Sequence, residues 1–239
     1  IQGRIMKSGA GNHTGGGCGP RRRKHNGGPS SATSTVTVIN PTSLNAHLDD
    51  LMDMGDDLYL VSETFATRGA QKDLQRTMGE RYGVTWGREV RQQSDSIWDG
   101  THGGVAVLSK KPQPIQKGTH RNQPDDVMAA RQRLWKSRRW VHAVVTPGGG
   151  KTPIHVMTLY GVSGSSIPRP RQPRYAENER LLRDTFLVAN ALGDVPVIIG
   201  GDLNTNENHS DVIRALLATG RWTDGAKAAA EAVGATPEP

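Results

Sequence analysis

Several short segments of this chain are continuously apolar and then end in a polar residue. Their richness in Val, Ile and Leu, without polar alternation, predicts strands buried on both faces. The polar residues at their ends are Asn40, Glu63, Tyr160, Asp202 and Asn204. Functional side chains are often carried at the ends of such core strands. If these ends converge, they bring together two carboxylates, two amides and a phenol.

The order of the segments predicts an α/β (α+β) domain. A β-branched run that ends at Asn40 is followed by helical spacing and then by a second strand that ends before Glu63, so the chain opens as strand, helix, strand. A Pro-Gly turn after residue 146 predicts a hairpin between residues 140–146 and 154–160. We expect further strands at residues 86–91, 103–108 and 195–200, and helices at 71–79, 177–192, 211–219 and 228–233. Thr42 or Ser43 is the expected cap of the first helix.

Charge and composition divide the chain into two parts. The net charge of +7 comes mainly from residues 1–34, a Gly-rich segment with six basic residues and no acid. The remainder holds 24 basic and 23 acidic residues, a balance near +1 that does not support a uniformly basic nucleic-acid-binding surface. We predict a disordered basic tail over residues 1–34 and one domain over residues 35–239.

The cysteine and hydropathy patterns bear on the compartment. Cys18 is the only cysteine, so no disulfide framework forms within the chain, and an intracellular location is predicted. No apolar run approaches the length of a membrane span, and no signal peptide is visible at Ile1. The basic run at residues 21–24 has three interpretations: a nuclear-import signal, a weak phosphate contact or a solvated tail.

The residue types at the strand ends favour metal-assisted phosphate chemistry. Carboxylate oxygens with retained waters suit Mg²⁺, with Mn²⁺ as the alternative, and amides or a phenol can orient a phosphate oxygen without adding negative charge. Each residue also has a purely structural interpretation. Asp202 and Asn204 could begin a turn, Asn40 could stabilise the turn at Pro41, Glu63 could be a solvated strand end, and Tyr160 could fill a sheet edge.

The motifs resemble the endonuclease/exonuclease/phosphatase superfamily with the DNase I-like fold. The resemblance covers residues 35–226, and the motifs that carry it are Asn40 after a strand, Ser62-Glu63-Thr64, Gly103-Gly104 opening a strand, Leu159-Tyr160-Gly161 and Gly201-Asp202-Leu203-Asn204. It implies a four-layer sandwich, with two packed mixed β-sheets flanked by helices. It also implies metal-dependent hydrolysis of a phosphodiester or phosphomonoester.

The resemblance assigns a role to each motif residue. Glu63 matches the metal-binding glutamate, and Asn40 matches the asparagine that organises metal and phosphate. Asp202 matches the aspartate that orients or deprotonates the attacking water, and Asn204 its phosphate-positioning partner. Tyr160 matches a residue that contacts the scissile phosphate in the apurinic and retroelement branches.

The chain also departs from the family pattern. Ser62 stands where a Gln is usual, and Thr42 where some branches carry an acid. The family closes with an Arg/Ser-x-Asp strand and a Ser-Asp-His motif, and the sequence ends at Pro239 before either. This predicts a domain without its last strands and without the acid–base pair, a loss of about 10²–10⁴ in rate. His209-Ser210-Asp211 has the right residues in reverse order and is not a substitute.

A basic and aromatic run is the candidate substrate surface. It contains Arg131, Arg133, Lys136, Arg138 and Arg139, with Trp135 and Trp140 between them. We predict Arg138 and Arg139 as substrate-binding residues, against the plainer interpretation of a solvated face. The leading hypothesis is a DNA endonuclease of the retroelement or apurinic type, with DNA favoured over RNA. A phosphatase or deadenylase of the same superfamily, and an inactive fragment that acts as a binding module, are the alternatives.

Overall fold

Ten strands in two sheets, together with six helices, make up the described part of the chain. The computed structural model describes residues 34–89, 104–119, 123–147, 152–163 and 173–232, and the backbone of residues 3–7. The strands are β1 Gly3–Lys7, β2 Val36–Ile39, β3 Leu58–Ser62, β4 Tyr82–Trp86, β5 Val105–Lys110, β6 Ile115–Lys117, β7 Trp140–Val145, β8 Ile154–Tyr160, β9 Val197–Asp202 and β10 Trp222–Asp224. The helices are α1 Leu48–Met54, α2 Arg68–Met78, α3 Asp125–Ser137, α4 Pro173–Asn190, α5 Asp211–Ala218 and α6 Gly225–Ala232.

Both sheets are mixed, and each contains one parallel pair. The six-stranded sheet has the order β10-β1-β9-β8-β7-β6, and the four-stranded sheet the order β2-β3-β5-β4. β8 and β9 are parallel, as are β2 and β3, while the other neighbours are antiparallel. The predicted hairpin is confirmed as β7 and β8, with Trp140 opposite Leu159.

Three apolar layers hold the sheets and helices together. Between the sheets, Val38 and Leu60 face residues such as Val156 and Ile198. The outer face of the four-stranded sheet is covered by α1 and α2, and that of the six-stranded sheet by α3, α4 and α5. The predicted sandwich of two mixed sheets flanked by helices is therefore confirmed.

β1 differs from the prediction of a disordered tail over residues 1–34. Its backbone lies between β9 and β10 and is antiparallel to both, with Ile5 opposite Ile199 on one side and Asp224 on the other. Pairing on both edges satisfies the backbone groups of this short segment, which local composition does not reveal. Residues 1, 2 and 8–33 of the predicted tail, which include Cys18 and the basic run at residues 21–24, lie outside the described residues.

Two local predictions were wrong. The strand predicted at 86–91 is instead β4, which ends at Trp86, and residues 90–91 lie outside the described residues. Helix α1 begins at Leu48 with His47 at its N-cap, and Thr42 has a left-handed backbone with φ of 60° instead of capping it. Among the helices of the described segments, none combines the length and apolar character needed to cross a bilayer.

Candidate functional site

The predicted site residues lie at the carboxyl ends of the two parallel strand pairs. Asn40 and Glu63 directly follow β2 and β3, in which Ile39 is opposite Val61. Tyr160 and Asp202 end β8 and β9 and are themselves register partners. Because strands of a parallel pair end on the same side, each sheet presents two of these residues together. The sheets face each other, and the two pairs meet.

Asp202 is held by hydrogen bonds on both carboxylate oxygens. The Asn40 amide Nδ2 donates to Oδ2 at 2.9 Å, and the backbone N–H of Asn204 donates to Oδ1 at 3.1 Å. The Asn204 amide Nδ2 in turn donates to the carbonyl of Gly161 at 3.2 Å. Asn40 Oδ1 accepts from the backbone N–H of Thr42 at 3.2 Å. The Asp-Leu-Asn turn and the end of β2 are therefore one connected network.

Glu63 forms the second half of the site with Tyr160. The Tyr160 hydroxyl donates to Glu63 Oε1 and lies 3.1 Å from Ser163 Oγ. Tyr160 is 1% exposed. Burial, followed by the hydrogen bond to Glu63, raises the pKa of Tyr160 above its ordinary value of 10.0. The phenol therefore stays protonated and serves as a neutral hydrogen-bond donor at physiological pH.

Backbone strain is concentrated at this site. Glu63 and Asn204 have φ values of 55° and 51°, and Thr42 has a φ of 60°. A left-handed backbone is uncommon for residues other than glycine and costs on the order of 1–3 kcal/mol. The surrounding contacts hold these residues in place. The turns carry Glu63 and Asn204 out of the strand direction at the same edge of the sandwich.

A positioning residue that sequence reasoning missed is Asn178 on α4. It is 1% exposed. Its Oδ1 accepts from the backbone N–H of Val162 at 2.8 Å, and its Nδ2 donates to the carbonyl of Leu203 at 3.1 Å. Asn178 therefore joins the turn after β8 to the turn after β9. The apolar stripe of this helix includes Leu181 and Leu182, and extending it one turn backwards leads to Asn178, which is the signal that could have found it.

Arg139 contacts the residues of the site, whereas Arg138 binds a neighbouring segment. The Arg139 guanidinium lies 4.7 Å from the Tyr160 ring centroid, and its Nη1 donates to the carbonyl of Gly161 at 2.8 Å. Arg138 ends α3 with a left-handed φ of 60°, and its Nε donates to the carbonyl of Glu89 at 3.0 Å. Both side chains therefore have local structural partners, and their substrate contacts stay a prediction.

The remaining members of the basic and aromatic run do not form one surface. Arg133 makes two hydrogen bonds of 2.8 Å to Asp184 on α4. Trp140 is buried on the outer face of its sheet, and Trp135 lies beneath the Lys117 ammonium, 3.8 Å from its ring centroid. The residues of this run therefore point to three different places: a contact between α3 and α4, the core, and the surface near Lys117.

The donor set at the site suits a hard divalent cation. Glu63 and Asp202 supply carboxylate oxygens, and the amide of Asn40 is hydrogen-bonded to Asp202. No group of three or more His, Cys, Asp or Glu side chains within the described segments could hold a metal ion. A cation here would therefore keep several waters, which is the coordination that Mg²⁺ favours. The segment His209-Ser210-Asp211 has a structural role, because the Ser210 hydroxyl caps α5 by accepting from the N–H of Ile213.

The fold, the strand-end residues and their order agree with a family assignment. The model of the Endonuclease/Exonuclease/phosphatase family matches residues 26–238. The chain belongs to this family. Members are generally dependent on a divalent metal. None of the curated proteins matches the chain.

Solved structures match the chain at low sequence identity, and one of them, with a TM-score above 0.5, shares its fold. An AP endonuclease from Archaeoglobus fulgidus is 14% identical with a TM-score of 0.52, and the match covers 78% of this chain and 71% of that one. The APE2 catalytic domain from Xenopus laevis is 18% identical with a TM-score of 0.49, over 71% of this chain. Sphingomyelinase C from Streptomyces griseocarneus is 24% identical with a TM-score of 0.45, over 77% of this chain and 68% of that one. The match spans only 58% of the Xenopus structure.

Proposed function

We propose that this chain is a divalent-metal-dependent phosphodiesterase that cuts DNA, an endonuclease of the retroelement or apurinic type that uses Mg²⁺ or Mn²⁺. The observation that carries the proposal is the convergence of four strand ends. Asn40 contacts Asp202 and Tyr160 contacts Glu63 across the two sheets, so the two carboxylates, an amide and a neutral phenol occupy one edge. These groups can hold a cation, orient a water molecule and donate to a phosphoryl oxygen, which are three of the tasks of phosphoryl transfer to water.

Asp202 is the proposed group that orients or deprotonates the attacking water. Each of its oxygens accepts one hydrogen bond from the protein, from Asn40 or Asn204, and keeps a second acceptor site. A water molecule can therefore donate to a carboxylate whose orientation is already set.

Glu63 and Asn40 are the proposed residues that hold the cation, which would stabilise charge on the phosphoryl oxygens. The Tyr160 hydroxyl, kept protonated by burial, has one proton, which it donates to Glu63. It would donate to a phosphoryl oxygen once a cation bound to Glu63 releases that hydrogen bond. Asn204 would position the phosphate beside Asp202. Arg139 contacts the Tyr160 ring and donates to the Gly161 carbonyl, and so stabilises the turn after β8 beside the site.

DNA is the proposed substrate on two grounds. Tyr160 matches the residue that contacts the scissile phosphate in the apurinic and retroelement branches of the family. The structure from Archaeoglobus fulgidus with which the chain shares its fold is an AP endonuclease. Arg138 and Arg139 follow α3 beside the site and are the proposed contacts to the flanking DNA backbone.

Nicking of supercoiled plasmid, intact or with abasic sites, tests the proposal. With Mg²⁺ we expect nicking that chelation abolishes. Asp202→Asn should reduce the rate by about 10²–10⁴, the usual contribution of general acid–base groups. Glu63→Gln should raise the Mg²⁺ concentration needed for half-maximal rate. Asp49→Asn on the exposed face of α1 is the matched control and should nick like the parent.

The outcomes separate the alternatives. Equal nicking by the parent, Asp202→Asn and Glu63→Gln would remove these residues from the reaction. A folded parent that leaves plasmid intact but releases phosphate from a phosphomonoester would favour a phosphatase. A folded parent that does neither, yet retains DNA binding, would favour a binding module.

A further inference from the structure

A cavity lies on the face of the six-stranded sheet that is turned away from Tyr160. Its volume is about 650 Å³, and it is bounded by the β6–β7 edge and by one face of α3. Trp140 in its wall packs in the outer core with Leu159, whereas Tyr160 packs between the sheets. The cavity is therefore separate from the candidate phosphodiesterase site. Its principal lining side chains are Lys117, Met128, Arg131, Gln132, Trp135 and Trp140.

The helical side of the cavity presents one continuous stripe. Met128, Arg131, Gln132 and Trp135 are spaced by three, four and seven residues along α3, which puts them on the same helix face. Met128 is 39% exposed, and among the described residues only Met54 is a more exposed large apolar side chain. An accessible apolar and aromatic wall with a few polar groups is the usual composition of a small-molecule site.

The polar groups of the cavity include hydrogen-bond donors without acceptors. Nε of Arg131 and Nε1 of Trp140 are both buried and have no hydrogen-bond partner among the described residues. A buried polar group without a partner costs about 1–3 kcal/mol, so such groups in a native site often await a ligand. Both atoms are closed to solvent while the cavity is empty, so a ligand would relieve them only if these side chains turned towards it, and it would have to supply acceptor atoms.

The charges of the cavity are of one sign among its described lining residues. Lys117 lies over the Trp135 ring, and Arg131 binds the Gly118 carbonyl through Nη2 at 3.4 Å. Burial, and then the nearby charge of Arg131, lowers the pKa of Lys117. Two cations close enough to disfavour each other, with no carboxylate in the described lining, are complementary to an anion.

We propose that this cavity binds a small aromatic anion, with its ring against Met128 and Trp135, beside the buried Trp140, and its anionic group between Lys117 and Arg131. The volume lies in the range of small-molecule sites and is large enough to admit a ligand of one or two rings. A nucleic-acid strand is the less favoured occupant because the next basic side chain along this helix, Arg133, is bound to Asp184 and does not extend the cavity into a basic track.

The probe that tests this proposal is naphthalene-2-sulfonate, titrated into the full chain by calorimetry and ¹H–¹⁵N correlation spectra. We expect saturable 1:1 binding and a shift of the Trp140 indole N–H signal, which Trp140→Phe identifies. Neutral naphthalene-2-sulfonamide and inorganic sulfate should each bind at least about tenfold more weakly, because each lacks one of the two recognition elements.

Lys117→Met and Arg131→Met should each weaken binding of the sulfonate by about ten- to a hundredfold, the usual effect of losing a charge-assisted hydrogen bond. Lys136→Met, which removes a charge from an exposed position of α3 outside the cavity, is the matched control and should bind as the parent does. Trp135→Leu should weaken both the sulfonate and the sulfonamide.

Three outcomes would overturn the proposal: no saturable binding by the folded parent, equal binding by the sulfonamide, or equal losses in Lys117→Met and Lys136→Met. Displacement of the probe by an oligothymidylate with the same variant pattern would assign the cavity to nucleic acid instead. Plasmid nicking by Lys117→Met at the parental rate, alongside weakened probe binding, would show that the cavity and the proposed active site are independent.

Discussion

Replacement of Asn178 by Leu should destabilise the domain and loosen the candidate site together. The side chain is nearly isosteric, so the change removes hydrogen bonds and leaves little cavity. It leaves the N–H of Val162 and the carbonyl of Leu203 buried without their partner. Each unpaired group costs about 1–3 kcal/mol, so the free energy of unfolding should fall by about 2–6 kcal/mol. That is a large part of the 5–15 kcal/mol typical of a domain.

Two measurements check this expectation. Urea denaturation should show a lower midpoint with little change in slope, because the core remains packed. Hydrogen exchange should show earlier exchange of the Val162 amide than of amides in the middle of β8. If the chain nicks plasmid, the rate of Asn178→Leu should fall by about 10²-fold, since misplacement of catalytic groups by about 1 Å has that effect.

Thr185→Val is the matched control on the same helix. Thr185 is buried and donates only to the carbonyl of Leu181, one turn back, so its replacement removes a hydrogen bond without touching the site. We expect a smaller loss, about 1 kcal/mol, with no change in Val162 exchange. If Asn178→Leu lost no more stability than Thr185→Val and left Val162 protected, the positioning role of Asn178 would be refuted.

Two further predictions concern backbone geometry and pH. Gly201→Ala should lower the free energy of unfolding by more than about 4 kcal/mol, because its φ is 138° and a Cβ there would lie 1.8 Å from the Leu159 carbonyl oxygen. Gly220→Ala, at a φ of 66° in open space, should lower it by only about 1–2 kcal/mol. Equal urea midpoints for the two variants would contradict this. Burial lowers the pKa of His155 below 6.5, so the unfolded chain binds this proton more tightly and stability should fall as pH drops through 6.5 towards the folded pKa. The 2.9 Å contact between rings of His155 and His142 would also be lost if both became protonated. His155→Gln should reduce the change in urea midpoint between pH 8 and pH 5. If the midpoint changed with pH as much as in the parent, His155 would be excluded as the source of that change.

The core strands were predictable because their signal is local. β3 is buried at every position, and a continuous apolar run of that length has few other interpretations. The strand at residues 82–86 was missed because Gly83 reads as a breaker. In the structure a Cβ on Gly83 would lie 2.5 Å from Ile115 Cγ2, so the glycine permits close packing of β6 instead of ending a strand.

Elements that depend on distant partners could not be predicted locally. β1 is short and lies in a Gly-rich segment. It is a strand because β9 and β10, about two hundred residues away, form hydrogen bonds with the backbone on its two edges. The helix α3 was not predicted because its basic run resembled a solvated surface. The helix has only three buried apolar residues, and all of them pack against the core: Val127, Ala130 and Leu134.

The candidate site shows the same division between local and distant information. The strand ends that carry Asn40, Glu63, Tyr160 and Asp202 were visible in the sequence, yet the contacts among them were not. Asn40 and Asp202 are 162 positions apart, Tyr160 and Glu63 are 97 apart, and each contact joins one sheet to the other. The geometry of the site therefore depends on how the sheets pack. The buried hydrogen bond from Thr158 on β8 to the carbonyl of Ala106 on β5 crosses the same interface and helps to set that alignment. A change in the layer between the sheets should thus disturb the site even where it touches none of these residues, whereas an equal loss of packing beneath α1 or α2 should lower stability alone.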